Sequence, residues 1–125
     1  MPTSPIRIVR STVDSPEAAR LLADYGAELV ARGRPFSPLE PPPGERPASW
    51  VDAHELEPPG GAFLLALDGD GRAGAGGGVR TLAPGLAEVK RMYVVPAARR
   101  RGIARRLLGA LEEVAASLGH TRVRL

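Results

Sequence analysis

Cysteine is absent from the 125-residue sequence, and only two histidines are present. Disulfide bonds, thiolate nucleophiles and cysteine-based zinc sites are therefore excluded, and His54 and His120 alone cannot complete a metal site. Aromatic residues are also scarce, with one Trp, two Tyr and two Phe. Because single-stranded nucleic acids stack on aromatic platforms, this scarcity argues against nucleic acid as a partner.

Long apolar runs are missing as well. No stretch approaches the roughly 18 apolar residues that suggest a membrane-spanning helix, and the first residues lack the basic and apolar segments of a signal peptide. We therefore expect a cytoplasmic protein with no membrane contact. With 43% hydrophobic and 25% charged residues, the composition is that of one globular domain over residues 1–125.

Positive charge is concentrated in one part of the sequence. The net charge is +3, from 17 basic and 14 acidic residues. Seven of the basic residues and no acidic residue lie between Val89 and Leu111, and five arginines fall in the segment 96–108, PAARRRGIARRLL. Such a segment indicates a nucleic-acid contact, a solvated helix face or a pocket for one anionic ligand.

Hydrophobic periodicity predicts the order β-α-loop-β-β-β-α-β. The first helix begins at Asp14 or Ser15 and ends at Gly33. Residues 34–61 carry eight prolines and predict a loop, with a short helix near its end. The predicted strands are 6–10, 62–69, 72–82, 86–95 and 121–125, and the second helix is 102–118. The strand at 72–82 contains GAGGG, which a core strand would normally avoid.

Residues 99–104, RRRGIA, have the form of an anion-binding turn between a strand and a helix. The first N–H groups of a helix are unpaired, and the helix dipole adds partial positive charge there. Gly102 allows close approach of the backbone to an anion, and Ala104 keeps the next position small. The turn therefore predicts a binding site for a pyrophosphate.

This turn and its surroundings resemble the GNAT superfamily of N-acetyltransferases, which bind acetyl-CoA. The family signature is Arg or Gln, two residues, Gly, one residue, then Gly or Ala, and Arg99, Gly102 and Ala104 occupy its positions. The strand EVKRMYVVP precedes it and an amphipathic helix follows. The resemblance covers 62–125 closely and implies an α/β (α+β) fold, in which helices flank a mixed, mainly antiparallel central sheet.

The resemblance also implies which residues bind acetyl-CoA, with no metal involved. The amides of the turn would hold the pyrophosphate, and the backbone of the preceding strand would pair with the pantetheine arm. The residues concerned are Met92, Tyr93, Val94, Arg99, Arg100, Arg101, Gly102, Ile103, Ala104 and Arg105. That strand carries a bulge in the family. Neither face of a flat strand over 86–95 would be cleanly apolar, so a phase shift near Lys90 to Met92 is expected.

Acetyl transfer requires an amine that has lost its proton. Glu88 matches the position where many relatives place a general base that acts through water. The alternative is an ion pair on the sheet, with Arg91, Lys90 or Arg80 as the partner. His54 and Glu55 in the proline-rich loop are candidates for substrate contact, with surface placement as the alternative.

The resemblance further implies a helix and two strands after the strand that begins at Thr121, so we expect the C-terminal part of the fold to lie beyond residue 125. The chain would then be a fragment, a protein whose sheet is completed by a second copy or a partner chain, or a degenerate family member.

The predicted function is transfer of the acetyl group of acetyl-CoA to an amine of a small molecule or peptide. The alternative is a catalytically impaired CoA-binding or protein-interaction module. Nucleic-acid binding through the basic segment is a third hypothesis, which the lack of aromatic platforms disfavours.

Overall fold

The computed structural model describes residues 6–33, 44 and 53–125. Within these residues the predicted order of elements is confirmed, and most bounds agree to within one or two residues. The elements are β1 (Arg7–Ser11), α1 (Pro16–Ala31), β2 (Gly61–Leu67), β3 (Ala73–Ala83), β4 (Leu86–Val94), α2 (Ile103–Ser117) and β5 (Arg122–Arg124). Short 3-10 segments at Ala53–Leu56 and Pro96–Ala98 precede β2 and α2. Trp50 and most of the predicted short helix lie outside the described residues.

The five strands form one sheet in the order β1-β2-β3-β4-β5. All neighbouring pairs are antiparallel except β4 and β5, which are parallel. A tight turn joins β2 to β3, in which the Asp68 side chain accepts from the amides of Asp70 and Arg72 at 2.8 and 3.0 Å. The sheet is therefore mixed and mainly antiparallel, as the resemblance implies.

The two helices cover opposite faces of the sheet. Ser15 caps α1 by accepting from the Ala18 amide at 3.2 Å, and Pro16 occupies the first turn. Leu21 of α1 packs against Phe63 and Leu65 on one face. The buried side chains of α2 pack on the other, and they are Ile103, Leu107, Leu111, Val114 and Ala115. Each large apolar side chain buried in this way contributes about 1.5–3 kcal/mol.

The glycines of β3 lie in the most buried part of the sheet, contrary to the expectation that a core strand avoids them. A Cβ on Gly76 would lie 2.5 Å from Leu21 Cδ2, and one on Gly78 would lie 2.8 Å from Leu56 Cδ2. On the α2 face, a Cβ on Gly77 would lie 3.2 Å from Leu111 Cδ1. Leucines from the covering elements therefore fill the space that β3 side chains would take.

A β-bulge interrupts β4, which confirms the expected phase shift. Gly76 of β3 pairs with Tyr93, whereas Gly78 pairs with Lys90, so β4 carries one extra residue in this interval. Arg91 lies within it and has a positive φ of 56°. Side chains before the bulge change face relative to those after it, and as a result Tyr93 packs in the α1 cluster while Met92 packs against the α2 cluster.

Gly61 provides a test of this packing. A Cβ there would overlap the carbonyl oxygen of Glu55 in the 3-10 segment, so we expect Gly61→Ala to lower the free energy of unfolding by about 1–3 kcal/mol. The matched control is Gly109→Ala within α2, where a Cβ meets nothing within 4 Å. That change should raise stability by about 1 kcal/mol. Urea unfolding measures the free energy of unfolding of each variant. The same change in both variants would contradict the close contact described for Gly61.

Candidate functional site

The N-terminus of α2 presents free backbone donors. Gly102 is the N-cap residue with a φ of 74°, and no side-chain hydrogen bond caps the helix. The first helical bond runs from the Arg106 amide to the Gly102 carbonyl at 3.2 Å, so the preceding amides have no partner within the helix. Arg100 also has a positive φ, of 66°. Amides in such turns converge into a concave surface that favours anions.

A cavity of about 350 Å³ lies at this turn. Six of the ten predicted acetyl-CoA-binding residues line it, together with Ala98, and the six are Val94, Arg99, Arg100, Gly102, Ile103 and Ala104. The Ile103 side chain belongs to the core and is only 4% exposed, so its backbone is the part that faces a ligand. Arg101 and Arg105 are exposed and lie outside this lining.

The Arg99 side chain points away from the turn and towards α1. Its Nε donates to the Val94 carbonyl at 3.0 Å, and its Nη2 reaches both carboxylate oxygens of Glu28 at 3.0 and 2.8 Å. The guanidinium also lies 5.7 Å from the centre of the Tyr93 ring. Arg99 therefore joins the turn to α1, and its charge is already compensated by Glu28.

A second cavity, of about 250 Å³, adjoins the first because both are lined by Val94 and Arg99. It lies between α1 and the end of β4, and its other lining residues are Tyr25, Glu28, Leu29, Arg32, Met92 and Tyr93. All but Met92 and Tyr93 were missed as site residues from the sequence. Spacing on α1 is the signal that could have found them, because residues three and four apart share a helix face.

The Tyr93 hydroxyl lies in a largely buried environment beside the Glu28 carboxylate. The side chain is 8% exposed, and its ring centre lies 5.3 Å from that of Tyr25. Burial, and then the hydrogen bond and charge of Glu28, raise the pKa of Tyr93 to about 12. Conversely, the Tyr93 hydrogen bond and then that of Arg99 hold the pKa of Glu28 below its ordinary value. Tyr93 is therefore a neutral hydrogen-bond donor over a wide pH range.

Glu88 is buried, at 7% exposure, in a network of charges on the α1 face. Nε and Nη2 of Arg80 both donate to its Oε1, at 3.1 and 2.8 Å, and Lys90 Nζ lies 3.6 Å from the same oxygen. The ion-pair alternative for Glu88 is therefore present, with the expected partners Arg80 and Lys90, and Arg124 Nε lies 3.7 Å from Oε2 as a further partner. Glu55 belongs to this network through Arg80, at 3.1 Å, whereas His54 is exposed.

Beyond Glu88, the outer edge of β4 has no strand partner among the described residues. β5 pairs with β4 only from Leu86↔Arg122 to Glu88↔Arg124. From Val89 to Val94, no strand of the described ranges pairs with that edge. This edge runs from Glu88 towards the uncapped end of α2. An extended ligand could hydrogen-bond to this edge as an additional strand does.

Residues 6–33, 44 and 53–125 contain no group of three or more His, Cys, Asp or Glu side chains that could hold a metal ion. Among the same residues, no helix has the length and apolar character needed to cross a membrane.

A family model described as the acetyltransferase (GNAT) family matches residues 21–125. Among solved structures, one from Klebsiella pneumoniae subsp. pneumoniae, to which acyl-CoA N-acyltransferase activity is ascribed, superposes with a TM-score of 0.68 at 22% identity. It covers 90% of this chain, which spans only 64% of that protein. No match was found among curated proteins.

Two other structures extend the comparison. A ribosomal-protein-alanine N-acetyltransferase from Brucella melitensis biovar Abortus is 26% identical, with a TM-score of 0.66 over 97% of this chain and 78% of its own. A GNAT family acetyltransferase from Elizabethkingia anophelis, solved with acetyl-CoA bound, is 18% identical, with a TM-score of 0.60 over 94% of this chain and 62% of its own. The fold shared with these proteins is the one that the sequence resemblance implied.

The environment of Tyr93 predicts a distinctive titration. Because the folded-state pKa of about 12 exceeds the ordinary value of 10, this phenol stabilises the fold fully below pH 10 and loses that contribution as the pH rises through about 12. The absorbance at 295 nm of the wild type minus that of Tyr93→Phe isolates its titration. Glu28→Gln should lower the midpoint while burial keeps it above 10. A difference titration centred at pH 10 in the wild type would contradict the described contacts.

Proposed function

Because the chain belongs to the acetyltransferase (GNAT) family, we propose that it transfers the acetyl group of acetyl-CoA to an amine. The observation that carries the proposal is the uncapped N-terminus of α2 beside the outer edge of β4. One element offers amides to a pyrophosphate, and the other offers a strand edge to an extended amide-containing arm. Acetyl-CoA contains both groups, in that order, and supplies the acetyl group as an activated thioester.

The residues of the turn would hold the pyrophosphate mainly through their backbone. Arg100, Gly102, Ile103 and Ala104 line the cavity at the end of α2, where the helix dipole favours negative charge. Arg100, Arg101 and Arg105 are exposed and would add charge-assisted contacts to phosphate oxygens. The backbone of Met92, Tyr93 and Val94 would pair with the pantetheine arm, which leads the thioester along β4 towards Glu88.

Glu88 would then act as the general base. It pairs with Arg124 of β5, in the part of β4 that lies farther from the turn at Gly102. If the pyrophosphate binds at the N-terminus of α2, the thioester end of acetyl-CoA would lie near Glu88, because the pantetheine arm follows β4 towards it. The Glu88 carboxylate would take a proton from the amine, directly or through one water, and so produce a neutral nucleophile.

The acceptor would be an amine of a small molecule or a peptide. Similar structures include the Brucella enzyme for ribosomal-protein alanine and an aminoglycoside acetyltransferase from a soil metagenomic sample, 21% identical with a TM-score of 0.64 over 95% of this chain and 77% of its own. Assays of CoA release should therefore include an aminoglycoside and a peptide with an N-terminal alanine as acceptors.

Ala104 allows a test of the pyrophosphate site that spares the fold. A glutamate in the first turn of α2 interacts favourably with the helix dipole and should not lower the stability of the fold. The same carboxylate repels a pyrophosphate, so Ala104→Glu should weaken CoA binding by about tenfold or more in calorimetric titration. Ala104→Gln, of equal size and no charge, should lose much less affinity. Equal losses in both variants, or none in either, would contradict a phosphate site here.

Glu88→Gln tests the chemical step, because it removes the proton acceptor at nearly constant volume. We expect kcat at neutral pH to fall about 10²-fold or more, with CoA affinity nearly unchanged. Steady-state rates of CoA release measure the first and calorimetry the second. Unchanged kcat would remove the base role from Glu88, and CoA binding without any wild-type turnover would favour a binding module over an enzyme.

A further inference from the structure

We propose that Arg80 is a positioning residue that commits one oxygen of Glu88 through two hydrogen bonds and so presents the other oxygen for proton transfer, a role that rests on the proposed function. The two residues are directly opposite each other on β3 and β4. Both Nε and Nη2 of Arg80 donate to Oε1, so one oxygen takes both hydrogen bonds. The other oxygen, Oε2, accepts no hydrogen bond from the described residues, and its nearest ion-pair partner is Arg124 Nε at 3.7 Å.

The oxygen without a hydrogen bond from the described residues, Oε2, lies on the β5 side of Glu88. Oε1 is held from the β3 side by Arg80, whereas Arg124, the cation closest to Oε2, belongs to β5. Oε2 is therefore the oxygen on the β5 side of Glu88, along the β4 edge where we place acetyl-CoA and the amine. An unconstrained carboxylate could rotate and present either oxygen, whereas this one is fixed by two donors from the same planar group.

Arg80 is itself held by a second carboxylate. Its Nη1 donates to Glu55 Oε2 at 3.1 Å, and its side chain is only 12% exposed. The guanidinium is therefore fixed between Glu55 of the 3-10 segment and Glu88 of the sheet. Arginine suits this position because its planar fork can serve two acceptors at once, which an ammonium group cannot do with the same geometry.

A mutant cycle tests this role. We expect Arg80→Met to lower kcat about tenfold or more while the KM for acetyl-CoA stays nearly constant, because Oε2 loses its orientation. Glu55→Gln should give a smaller loss in the same direction. The double variant Arg80→Met with Glu88→Gln should be no slower than Glu88→Gln alone, because Arg80 acts through Glu88. The matched control is Arg72→Met, an exposed arginine at the β2–β3 turn, which should leave kcat unchanged.

A merely structural role for Arg80 gives a different pattern. If Arg80 only kept the site rigid, Arg80→Met would slow Glu88→Gln by the same factor as it slows the wild type, and it would raise the KM for acetyl-CoA. This additive outcome would overturn the proposal. An unaltered kcat in Arg80→Met would overturn it too, while leaving the proposed function intact. A folded wild-type protein without turnover on any acceptor would overturn both together.

The hydrogen bonds can also be tested without turnover. In the ligand-free protein, NMR of arginine side chains should show an Arg80 Nε proton that exchanges slowly with solvent, because Glu88 holds it. That exchange should accelerate about tenfold or more in Glu88→Gln and stay nearly constant in Arg72→Met. Fast exchange in the wild type, or no change in Glu88→Gln, would contradict the clamped geometry and overturn the proposal.

Discussion

The extra residue in β4 is the constraint on which the rest of the site depends. Without it, Tyr93 would share a face with Val89 and pack against α2. With it, both Glu88 and Tyr93 face α1, while Met92 and Val94 support the α2 side. One inserted residue thus places two ionisable side chains of a single strand on the same face as the charged residues of α1 and the 3-10 segment.

The two ends of β4 have different neighbours. Near its start, β4 pairs with both β3 and β5 and carries Glu88 in a fixed ion pair. Towards its end, β4 pairs with β3 alone among the described residues and leads to the turn at Gly102. The residues proposed to bind the pantetheine arm and the proposed base, Glu88, therefore lie on the same strand. The distance between them is set by the rise per residue of that strand and not by the conformation of a loop.

The features that the sequence predicted correctly are local ones. The turn at 99–104 follows from the unpaired amides of a helix start, and the bulge follows from the failure of 86–95 to show one apolar face. The features that it missed depend on contacts between distant residues. Glu28 meets Arg99 across 71 positions and Glu55 meets Arg80 across 25, so neither pairing leaves a periodic pattern. The glycines of β3 were misjudged for the same reason, because the leucines that cover them come from α1, the 3-10 segment and α2.

Those glycines have a consequence for how the core tolerates change. The glycines at 76–78 have no side chains that could fill a cavity. Replacing Leu21, Leu56 or Leu111 by a smaller residue would therefore leave a cavity against the β3 backbone. Enlarging the strand is equally restricted while the leucines remain. Each glycine and the leucine that covers it can therefore change only together. Among relatives of this chain, a larger residue in β3 should accompany a smaller residue in the element that covers it.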